Sequence, residues 1–547
     1  MKLRKMSKDE LGSFYTSSTI ANYVAKKLWQ LSDFDATKIK ILDPAVGNGN
    51  LLEPFLTLIP ENLIENTELH GYDIDDFAID EANIRFDEYN VKSEIKSTDS
   101  LLLFSDNETE KADLLVSNPP WGAKVMHSRE ELQTLGFETA VNQFDSYDLF
   151  IELSLKLLKH SGYAAFIIPD SIFQAQHEPI RRKLIDETTI LSIYKLGEGF
   201  FEGVFRSTVL IFLKNVPPLE THNTQVTTLR KQARNQILLN QESLSDYEQL
   251  NSVKMKQKKF RENNYRFNIE ITEDMDSEIL DLILSNGSNV NNFFDVGRGI
   301  EISKHGKYHY CKNCDFSEKK GKKELVSCPE CGADLLLKPV IFTETAPNTL
   351  KMVAGEDFSR YSIPEPRYIL QRLNNLNYKT ISLTKNAEKI LIRKTGLGLT
   401  ATLDKNKLLT NQVVFHITED PNRRFPIKVL LAILNSRVIL FYHLKHSGET
   451  EWKSHPYITQ SDLKSLPLPS LEGKEEVISS LEKLIDEVYR LGYSKELDLQ
   501  IEKHVMYLFS LGFKHMKHIN NFVKGIDQLK VISKVVLSDE ELLKLGG

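Results

Sequence analysis

The chain has 547 residues, of which 41% are hydrophobic and 27% are charged, and its formal net charge is −7. A chain of this length predicts roughly three or four domains, ample to bury a catalytic core. The negative charge argues against bulk non-specific affinity for nucleic acid, although a local cluster of Lys and Arg would still provide a basic cleft.

Two features concern membranes and secretion. Residues 1–10 are charged and lack the apolar core of a signal peptide. No stretch approaches the roughly 18 uninterrupted apolar residues of a membrane span. Residues 429–444 come nearest and are interrupted by Asn435, Ser436 and Arg437. We therefore expect a cytoplasmic protein that does not act at a membrane.

The first predicted strand, residues 39–43, ends at Asp43 and enters a loop that carries Gly47 and Gly49. Glycine permits positive φ and a close approach of the backbone to a ligand. The helix expected after the loop begins with free N–H groups and a positive dipole end. The third glycine of the dinucleotide fingerprint is missing, so this loop alone is a weak signal.

Acidic residues follow the next two predicted strands. The segment 69–75 reads as a short strand that ends in Asp73, and residues 91–96 form a third strand-like segment before Asp99. An acid at such a strand end accepts hydrogen bonds from the ribose hydroxyls of a nucleoside. The order of these features is much more specific than any one of them.

The tetrapeptide Asn118-Pro119-Pro120-Trp121 follows an apolar run at residues 112–116 that predicts a buried strand. It stands where the strand ends, at the rim where open α/β sheets bind ligands. The prolines fix φ and remove two amide donors, which leaves the carbonyls of a stiff loop as acceptors. Acceptors beside an aromatic face suit a planar amine such as that of adenine. The alternative is an ordinary strand-ending turn with a buried Trp.

The regions after this loop differ in pattern. Strand and helix patterns alternate through residues 36–215, which predicts a parallel-rich sheet with helices on both faces. Residues 215–264 are polar, and we expect an irregular, extended connection there. The heptad-like tail, residues 472–547, is interpreted as packing helices, with one apolar face formed by Leu481, Leu484, Ile485 and Val488.

All four cysteines fall in two CxxC pairs, Cys311 with Cys314 and Cys328 with Cys331. Pairs at this spacing favour tetrahedral Zn²⁺, and four thiolates would close its coordination sphere. We therefore predict a structural zinc ribbon at residues 308–334 rather than a catalytic zinc. The alternative is a set of reduced or redox-active thiols.

These motifs, in this order, resemble the γ-class adenine-N6 DNA methyltransferases of restriction-modification systems, which carry a C-terminal target-recognition domain. Residues 12–17 extend the likeness, because they resemble the N-terminal cofactor motif of that family except at Ser13 and Ser17. The resemblance implies a Rossmann-like, S-adenosylmethionine-dependent methyltransferase sheet of seven strands with one antiparallel hairpin. An α+β target-recognition domain carrying the zinc ribbon would follow.

The resemblance also implies a division of the chain. Residues 294–300 and 409–415 resemble parts of the target-recognition domain. The expected domains are an N-terminal cofactor clamp at 1–35, a catalytic domain at 36–215, a connector at 216–290, a target-recognition domain at 291–470 and a helical region at 471–547.

Site residues are carried over position by position. The resemblance implies that Asn118, Pro119, Pro120 and Trp121 hold the target adenine. Phe201, with Phe205 as second choice, would stack on the other face of the base. The implied contacts to S-adenosylmethionine are Tyr15, Thr16, Asp43, Ala45, Gly47, Gly49, Asp73, Asp99 and Asn118.

The chemistry of the amine explains this loop. The lone pair of the amine is delocalised into the purine ring, so the nitrogen is a poor nucleophile. Hydrogen bonds to the Asn118 side chain and the Pro119 carbonyl would favour a tetrahedral nitrogen whose lone pair points at the methyl group. The base must leave the duplex first, which costs about a few kcal/mol.

The expected partners are double-stranded DNA and a separate restriction or defence-system subunit. Three alternatives fit the same loop or the same fold. An RNA adenine or a protein glutamine presents an equivalent amine, and a non-catalytic DNA-recognition subunit would keep the fold. The Asn118 side chain and the glycine loop argue against the last alternative.

Overall fold

The computed structural model describes residues 16–33, 38–89, 91–106, 110–201, 206–271, 273–301, 306–320, 325–345, 349–363, 365–370, 388–396, 398–420, 424–447, 458–526 and 535–546. They fall into two compact units, the first within Met1–Thr272 and the second within Glu273–Gly547. Tyr15 and Phe205, both named above as site candidates, lie outside the described residues.

The first unit is built on a nine-stranded sheet with the strand order β3-β2-β1-β4-β5-β7-β6-β8-β9. The strands are β1 Ile39–Asp43, β2 Thr67–Asp73, β3 Lys92–Ser97, β4 Ala112–Ser117, β5 Leu158–Pro169, β6 Thr189–Gly197, β7 Thr208–Lys214, β8 Asn223–Thr228 and β9 Val253–Lys256. β1 pairs in parallel with β2 on one side and β4 on the other. The chain order reverses between these neighbours, which makes their carboxyl ends the expected ligand edge.

Both faces of this sheet are covered. Ile41 and Leu42 of β1 point to opposite faces, and they are 0% and 1% exposed. Such burial is typical of parallel α/β sheets, so the predicted Rossmann-like fold is confirmed. The helices of this unit are α1 Ser18–Leu31, α2 Glu61–Ile64, α3 Asp76–Asp87, α4 Arg129–Leu135, α5 Ser146–Leu157, α6 Glu178–Glu187, α7 Lys231–Leu238, α8 Leu244–Asn251 and α9 Lys258–Glu262.

The sheet is larger than expected. β7 lies antiparallel between β5 and β6, as the resemblance implied, but β8 and β9 extend the edge beyond seven strands. The prediction of an irregular, extended connection at 215–264 was therefore wrong, because this segment holds two strands and three helices. The strand β8 gives little sequence signal, because Val226 is the one apolar residue among its six. Thr224 is buried instead, and its hydroxyl donates to the Ile190 carbonyl over 2.9 Å.

The second unit combines small sheets with helices, and the three larger sheets have the orders β11-β21-β18-β19, β15-β17-β16-β20 and β13-β12-β14. Its strands are β10 Ser288–Asn289, β11 Phe294–Arg298, β12 Lys307–Tyr310, β13 Ser317–Lys319, β14 Leu336–Pro339, β15 Ile341–Phe342, β16 Thr349–Val353, β17 Arg367–Leu370, β18 Lys389–Arg393, β19 Ala401–Asp404, β20 Leu409–Thr410, β21 Val414–Glu419 and β22 Pro467–Leu468.

Of the described α-helices of this unit, one precedes these sheets in the chain and the others follow β21. These helices are α10 Asp274–Leu284, α11 Ile427–Leu434, α12 Arg437–Ser447, α13 Gln460–Ser465, α14 Glu475–Leu491, α15 Lys495–Leu508, α16 Phe513–Lys524 and α17 Asp539–Gly546. The predicted apolar face of α14 is confirmed, because Leu481, Leu484, Ile485 and Val488 are its buried residues.

Within the described ranges, no single helix is both long enough and apolar enough to cross a membrane. Ile427–Leu434 and the following segment Arg437–His446 meet these criteria only together, and they are bent by 61° relative to each other. The helix α11 is a core element, with seven of its residues buried.

Candidate active site

A cleft with about 1160 Å³ of empty space, open solvent at its mouth included, lies at the carboxyl ends of β1, β2 and β4. The predicted site residues that line it are Thr16, Asp43, Ala45, Gly47, Asp73, Asp99, Asn118 and Pro120. Of the other predicted positions that the structure describes, Gly49, Pro119, Trp121 and Phe201 are not among the lining residues. The topology thus brings residues from five separate segments to one edge of the sheet.

The glycine loop is held to the end of β2. The Gly47 N–H donates to Asp73 Oδ2 over 2.9 Å, and the Asp75 N–H donates to Asp73 Oδ1 over 3.0 Å. Gly47 has φ 49°, a conformation that strains any residue with a side chain. Burial raises the pKa of Asp73, and the backbone N–H groups of Asp75, Gly47 and Ile74 counteract that rise. Because a carboxylate has about four lone-pair sites, it can still accept a hydrogen bond from a ligand hydroxyl.

Gly49 supports the loop from behind. Its φ is 85°, and a Cβ there would lie 2.7 Å from Phe86 Cζ of α3. The loop therefore packs against the helix that follows β2, and no larger residue fits this position without displacing the aromatic ring.

Asp43 is the most buried carboxylate of the cleft, with 1% of its surface exposed. Burial raises the pKa of Asp43 to about 7; the Ala45 N–H, which donates to Oδ1 over 2.9 Å, lowers it, and the charge of Asp73 raises it. A cationic ligand in the cleft would favour the ionised form of this group.

Asp99 follows β3 and caps the 3₁₀ helix Ser100–Phe104 by accepting from the Leu101 N–H over 3.1 Å. Ser100 Oγ donates to the Pro44 carbonyl over 2.6 Å, which ties this segment to the glycine loop. His127 Nε2 lies 2.7 Å from Asp99 Oδ2. His127 was not predicted from the sequence, because no spacing rule connects it to an acid 28 residues earlier.

Asn118 stands at the end of β4, and its Nδ2 donates to Thr16 Oγ1 over 3.1 Å. Because the carboxamide group is planar, this hydrogen bond also fixes the direction of the Asn118 side-chain oxygen. The segment before α1 and the Asn-Pro-Pro-Trp loop therefore form one wall of the cleft, which both line.

The start of α5 holds the loop after Asn118. Ser146 Oγ donates to the Pro120 carbonyl over 2.6 Å, and the Gly122 N–H donates to Asp145 Oδ1 over 2.7 Å. Sequence reasoning also missed these residues, although Asp145 directly before an apolar helical pattern is a recognisable N-cap signal. The loop conformation is consequently set by α5 as well as by its own prolines.

The aromatic residues expected to stack on a base contact each other. Trp121 and Phe201 are 3% and 5% exposed, and their ring centroids lie 5.0 Å apart at an interplanar angle of 69°. Trp121 Nε1 also donates to the Ile167 carbonyl over 3.3 Å. A base between the two rings would require them to separate and become more nearly parallel, so the stacking role of this pair stays a prediction.

The second unit holds the four cysteines in one cluster. Their Sγ atoms all lie within 4.8 Å of one another, with 3.5 Å between Cys311 and Cys331 and 3.4 Å between Cys314 and Cys328. Four thiolates about 2.3 Å from a tetrahedral Zn²⁺ would show similar separations. The Gly332 N–H donates to the Cys328 carbonyl over 2.9 Å in a tight turn with φ 73°. The donor set and its geometry therefore fit zinc.

Two family models match the chain. The model described as N-6 DNA methylase matches residues 2–282, just over half of the chain. The model described as TaqI-like C-terminal specificity domain matches residues 350–468.

Curated relatives match a shorter part. The type II methyltransferase M.VspI of Vibrio sp. (strain 343) is 28% identical over 229 residues, which are 41% of this chain and 52% of that protein. The type II methyltransferase M.BanIII of Aneurinibacillus aneurinilyticus is 28% identical over 226 residues, 38% of this chain and 39% of that protein. The chain thus spans about half, or less, of the length of these relatives.

Solved structures share the fold. The type IIL restriction-modification enzyme MmeI, solved in complex with DNA, matches with a TM-score of 0.52 at 12% identity. The match covers 98% of this chain and 74% of that one. Likeness at this identity concerns the fold alone.

Proposed function

Because this chain belongs to the N-6 DNA methylase family, we propose that it transfers a methyl group from S-adenosylmethionine to the exocyclic N6 of adenine in double-stranded DNA. The observation that carries the proposal is the position of Asn118. Thr16 orients the Asn118 carboxamide in the wall of the cleft. Asp43, Asp73 and Asp99, which lie at or just after the ends of three other strands, line the same cleft.

The donor set of the cleft fits the cofactor. S-adenosylmethionine carries an ammonium group, a sulfonium, a ribose diol and an adenine amine. A carboxylate can accept hydrogen bonds from the ammonium, the hydroxyls and the amine, and it can stabilise the positive charge of the sulfonium. Asp73 would accept from the ribose hydroxyls, and Asp99 from the adenine amine. Thr16, Asp43 and the backbone of Ala45 and Gly47 would hold the methionine end.

The acceptor side of the reaction depends on Asn118 and Pro119. Their oxygens would accept hydrogen bonds from the two N–H groups of the target amine, which frees the nitrogen lone pair for in-line attack on the methyl group. The new N–C bond would form as the methyl–sulfur bond breaks and S-adenosylhomocysteine leaves, and the methylated nitrogen would then release one proton. Orientation and fixed acceptors contribute most of the rate in such a transfer. When bound, the cofactor supplies the electrophilic methyl group; the chain's own residues hold the base, exclude water and receive the hydrogen bonds.

The base has to be flipped out of the duplex, and stacking would offset part of the cost. Each aromatic contact with a base contributes roughly 1–3 kcal/mol. Trp121 and Phe201 are the residues proposed for this role. Their present mutual contact implies that they repack when the base enters.

Site specificity is proposed to come from the second unit. Residues 350–468 match a specificity-domain model, and they fall within the stretch 291–470 for which the sequence indicated target recognition. We propose that this part reads the DNA sequence in a restriction-modification or phage-defence system, together with a separate restriction or defence-system subunit.

The four-cysteine cluster is proposed to hold a structural Zn²⁺. Cys311 and Cys328 are buried together with Phe316, so the thiols form a small core for the sheet β13-β12-β14. A closed four-thiolate site offers no open position for chemistry. The zinc would therefore stiffen this ribbon rather than take part in methyl transfer.

The test is transfer of labelled methyl from S-adenosylmethionine to unmethylated genomic DNA, followed by digestion and assay of N6-methyladenine. Wild type is compared with Asn118→Ala and with Asn223→Ala, an exposed asparagine outside the cleft. Label in adenine that disappears only in Asn118→Ala supports the proposal. Label in RNA or in protein glutamine, with none in DNA, would show that DNA is not the substrate. Cofactor binding without any transfer would point to a recognition subunit.

A further inference from the structure

His127 lies in the segment between β4 and α4 and lines the same cleft as Asp99. Its Nε2 is 2.7 Å from Asp99 Oδ2, and the two side chains are 21% and 19% exposed. Neither family motif nor sequence spacing accounts for this contact. The contact joins the loop after Asn-Pro-Pro-Trp to the acid that follows β3.

The Asp99 carboxylate is oriented by two donors from two parts of the chain. Oδ1 accepts from the Leu101 N–H over 3.1 Å, and Oδ2 faces the His127 imidazole. Because a carboxylate has about four lone-pair sites, both oxygens can still accept a further N–H from a ligand. With the Leu101 N–H as its one partner, the carboxylate could still rotate about the Cβ–Cγ bond. The contact with the His127 imidazole restricts that rotation.

We propose that His127 is a positioning residue for cofactor recognition: it holds the Asp99 carboxylate in the orientation that accepts the exocyclic amine of the cofactor's adenine. The proposal rests on the proposed function, since it assumes that S-adenosylmethionine occupies the cleft. His127 itself acts through Asp99. The neighbouring Met126 also lines the cleft and is 53% exposed, but its thioether donates no hydrogen bond to a carboxylate.

This role predicts a selective effect. Loss of the imidazole should weaken only those ligands whose base presents an amine to Asp99. A charge-assisted hydrogen bond that loses its orientation accounts for about a tenfold change in affinity. A residue that merely stabilised the loop would change the affinity for ligands with and without the amine alike.

The experiment is calorimetric titration of the full chain with S-adenosylhomocysteine and with its 6-deamino analogue, in which a hydrogen replaces the adenine amine. We expect His127→Ala to weaken the binding of S-adenosylhomocysteine about tenfold and to leave the binding of the 6-deamino analogue unchanged. His127→Gln, which can place an N–H near the same point, should restore most of the difference. Met126→Ala should affect the two ligands equally. In methyl transfer, His127→Ala should raise the KM for the cofactor with kcat nearly unchanged.

Equal losses for both ligands in His127→Ala, or no loss for either, would overturn the proposal. Thermal unfolding of each ligand-free variant shows whether a loss of binding reflects misfolding. If His127→Ala is misfolded, His127→Gln decides, and equal losses for both ligands in that variant overturn the proposal. Failure of the wild-type chain to bind S-adenosylhomocysteine would instead contradict the proposed function. The two failures are therefore distinguishable.

Discussion

Asn118 Nδ2 donates a hydrogen bond to Thr16 Oγ1 over 3.1 Å, although the two residues are 102 positions apart in the chain. Thr16 is 6% exposed and directly precedes the N-cap of α1. The contact joins the segment expected to bind the cofactor to the loop expected to hold the substrate amine. The orientation of the Asn118 carboxamide is therefore shared between the two halves of the proposed reaction.

Thr16→Val should lower kcat for methyl transfer by about 10- to 100-fold, because the near-isosteric side chain cannot accept the Asn118 N–H. Thr16→Ser retains the hydroxyl and serves as the matched control, with kcat close to that of wild type. Single-turnover transfer at saturating cofactor measures the step directly. Equal rates for Thr16→Val and Thr16→Ser would show that this hydrogen bond does not position the carboxamide.

Affinity for S-adenosylmethionine should depend on pH through Asp43. Burial raises the pKa of Asp43 to about 7, and the cationic cofactor favours the ionised form. The affinity for the cofactor should therefore be constant above about pH 7. Below that pH it should fall by up to about tenfold per pH unit, because binding must then displace a proton from Asp43. Calorimetry over a range of about 1.5 pH units on either side of that pKa measures the profile.

Asp43→Asn is the control, and its profile should be flatter. The ligand-free wild type should show the linked effect on stability. The raised pKa means that the folded chain binds more protons than the unfolded chain between about pH 4 and 7. The contribution of Asp43 to stability is therefore lost as the pH rises through about 7. A pH profile of Asp43→Asn as steep as that of wild type would assign the dependence to another group.

Much of the first unit was predictable because its signals are local. The strand before Asn118 is an apolar run interrupted only by Asp113, so the pattern determines one element. The buried residues Ile20, Val24 and Leu28 of α1 likewise recur every four positions, which is close to the helical period. The acids at the ends of neighbouring strands converge because parallel strands share an edge. Order along the chain was thus enough to predict that the residues would meet.

Other features were not predictable because they depend on tertiary contacts. His127 and Ser146 meet their partners only through the path of the loop between β4 and α5. The strand β8 has no apolar alternation, since its buried Thr224 is satisfied by a backbone carbonyl rather than by packing. The edge-to-face contact of Trp121 with Phe201 could not be inferred from composition, which predicts aromatic residues but not their mutual angle.

Cys328→Ser should remove zinc from the chain and lower the thermal stability of the second unit. Wild type is expected to contain a single zinc ion per chain, since four thiolates complete one tetrahedral site. Atomic absorption measures the metal, and a disulfide reagent should reach the four thiols only after denaturation with a chelator. Ser327→Ala, one residue away, is the control and should retain the metal. Metal-free protein with four reactive native thiols would contradict the zinc proposal.

Gly299→Ala should destabilise the second unit by about 1–3 kcal/mol. A Cβ at this position would overlap the Asn411 carbonyl oxygen and lie 2.5 Å from that of Thr410. The adjacent Ile300 N–H donates to the Thr410 carbonyl over 2.8 Å, so the two backbones cannot separate without losing that bond. Denaturant unfolding of the full chain measures the change. Gly512→Ala, where a Cβ would meet nothing within 4 Å, should cost less than about 1 kcal/mol, because only the N-cap preference of Gly over Ala is lost; equal shifts would refute the close-approach argument.

Arg206→Ala should weaken DNA binding and reduce its salt dependence. Arg206 is exposed, and its guanidinium lies against Gly122, where a Cβ would be 3.3 Å from Nη2. A permanent positive charge thus stands beside the loop proposed to hold the flipped base, where we expect the phosphates flanking that base to pass. Loss of one phosphate contact lowers the slope of log K against log salt by about 0.9.

Anisotropy titrations of a labelled duplex between about 50 and 200 mM salt measure that slope. Arg206→Lys retains the charge and should keep the slope while losing part of the affinity, because a point charge replaces the bidentate fork. Arg182→Ala removes an equal charge from a surface pair with Glu178 and should leave the slope unchanged. Cofactor affinity should be the same in all three variants. An unaltered slope in Arg206→Ala would mean that this arginine supports the loop through packing on Gly122 and does not contact DNA.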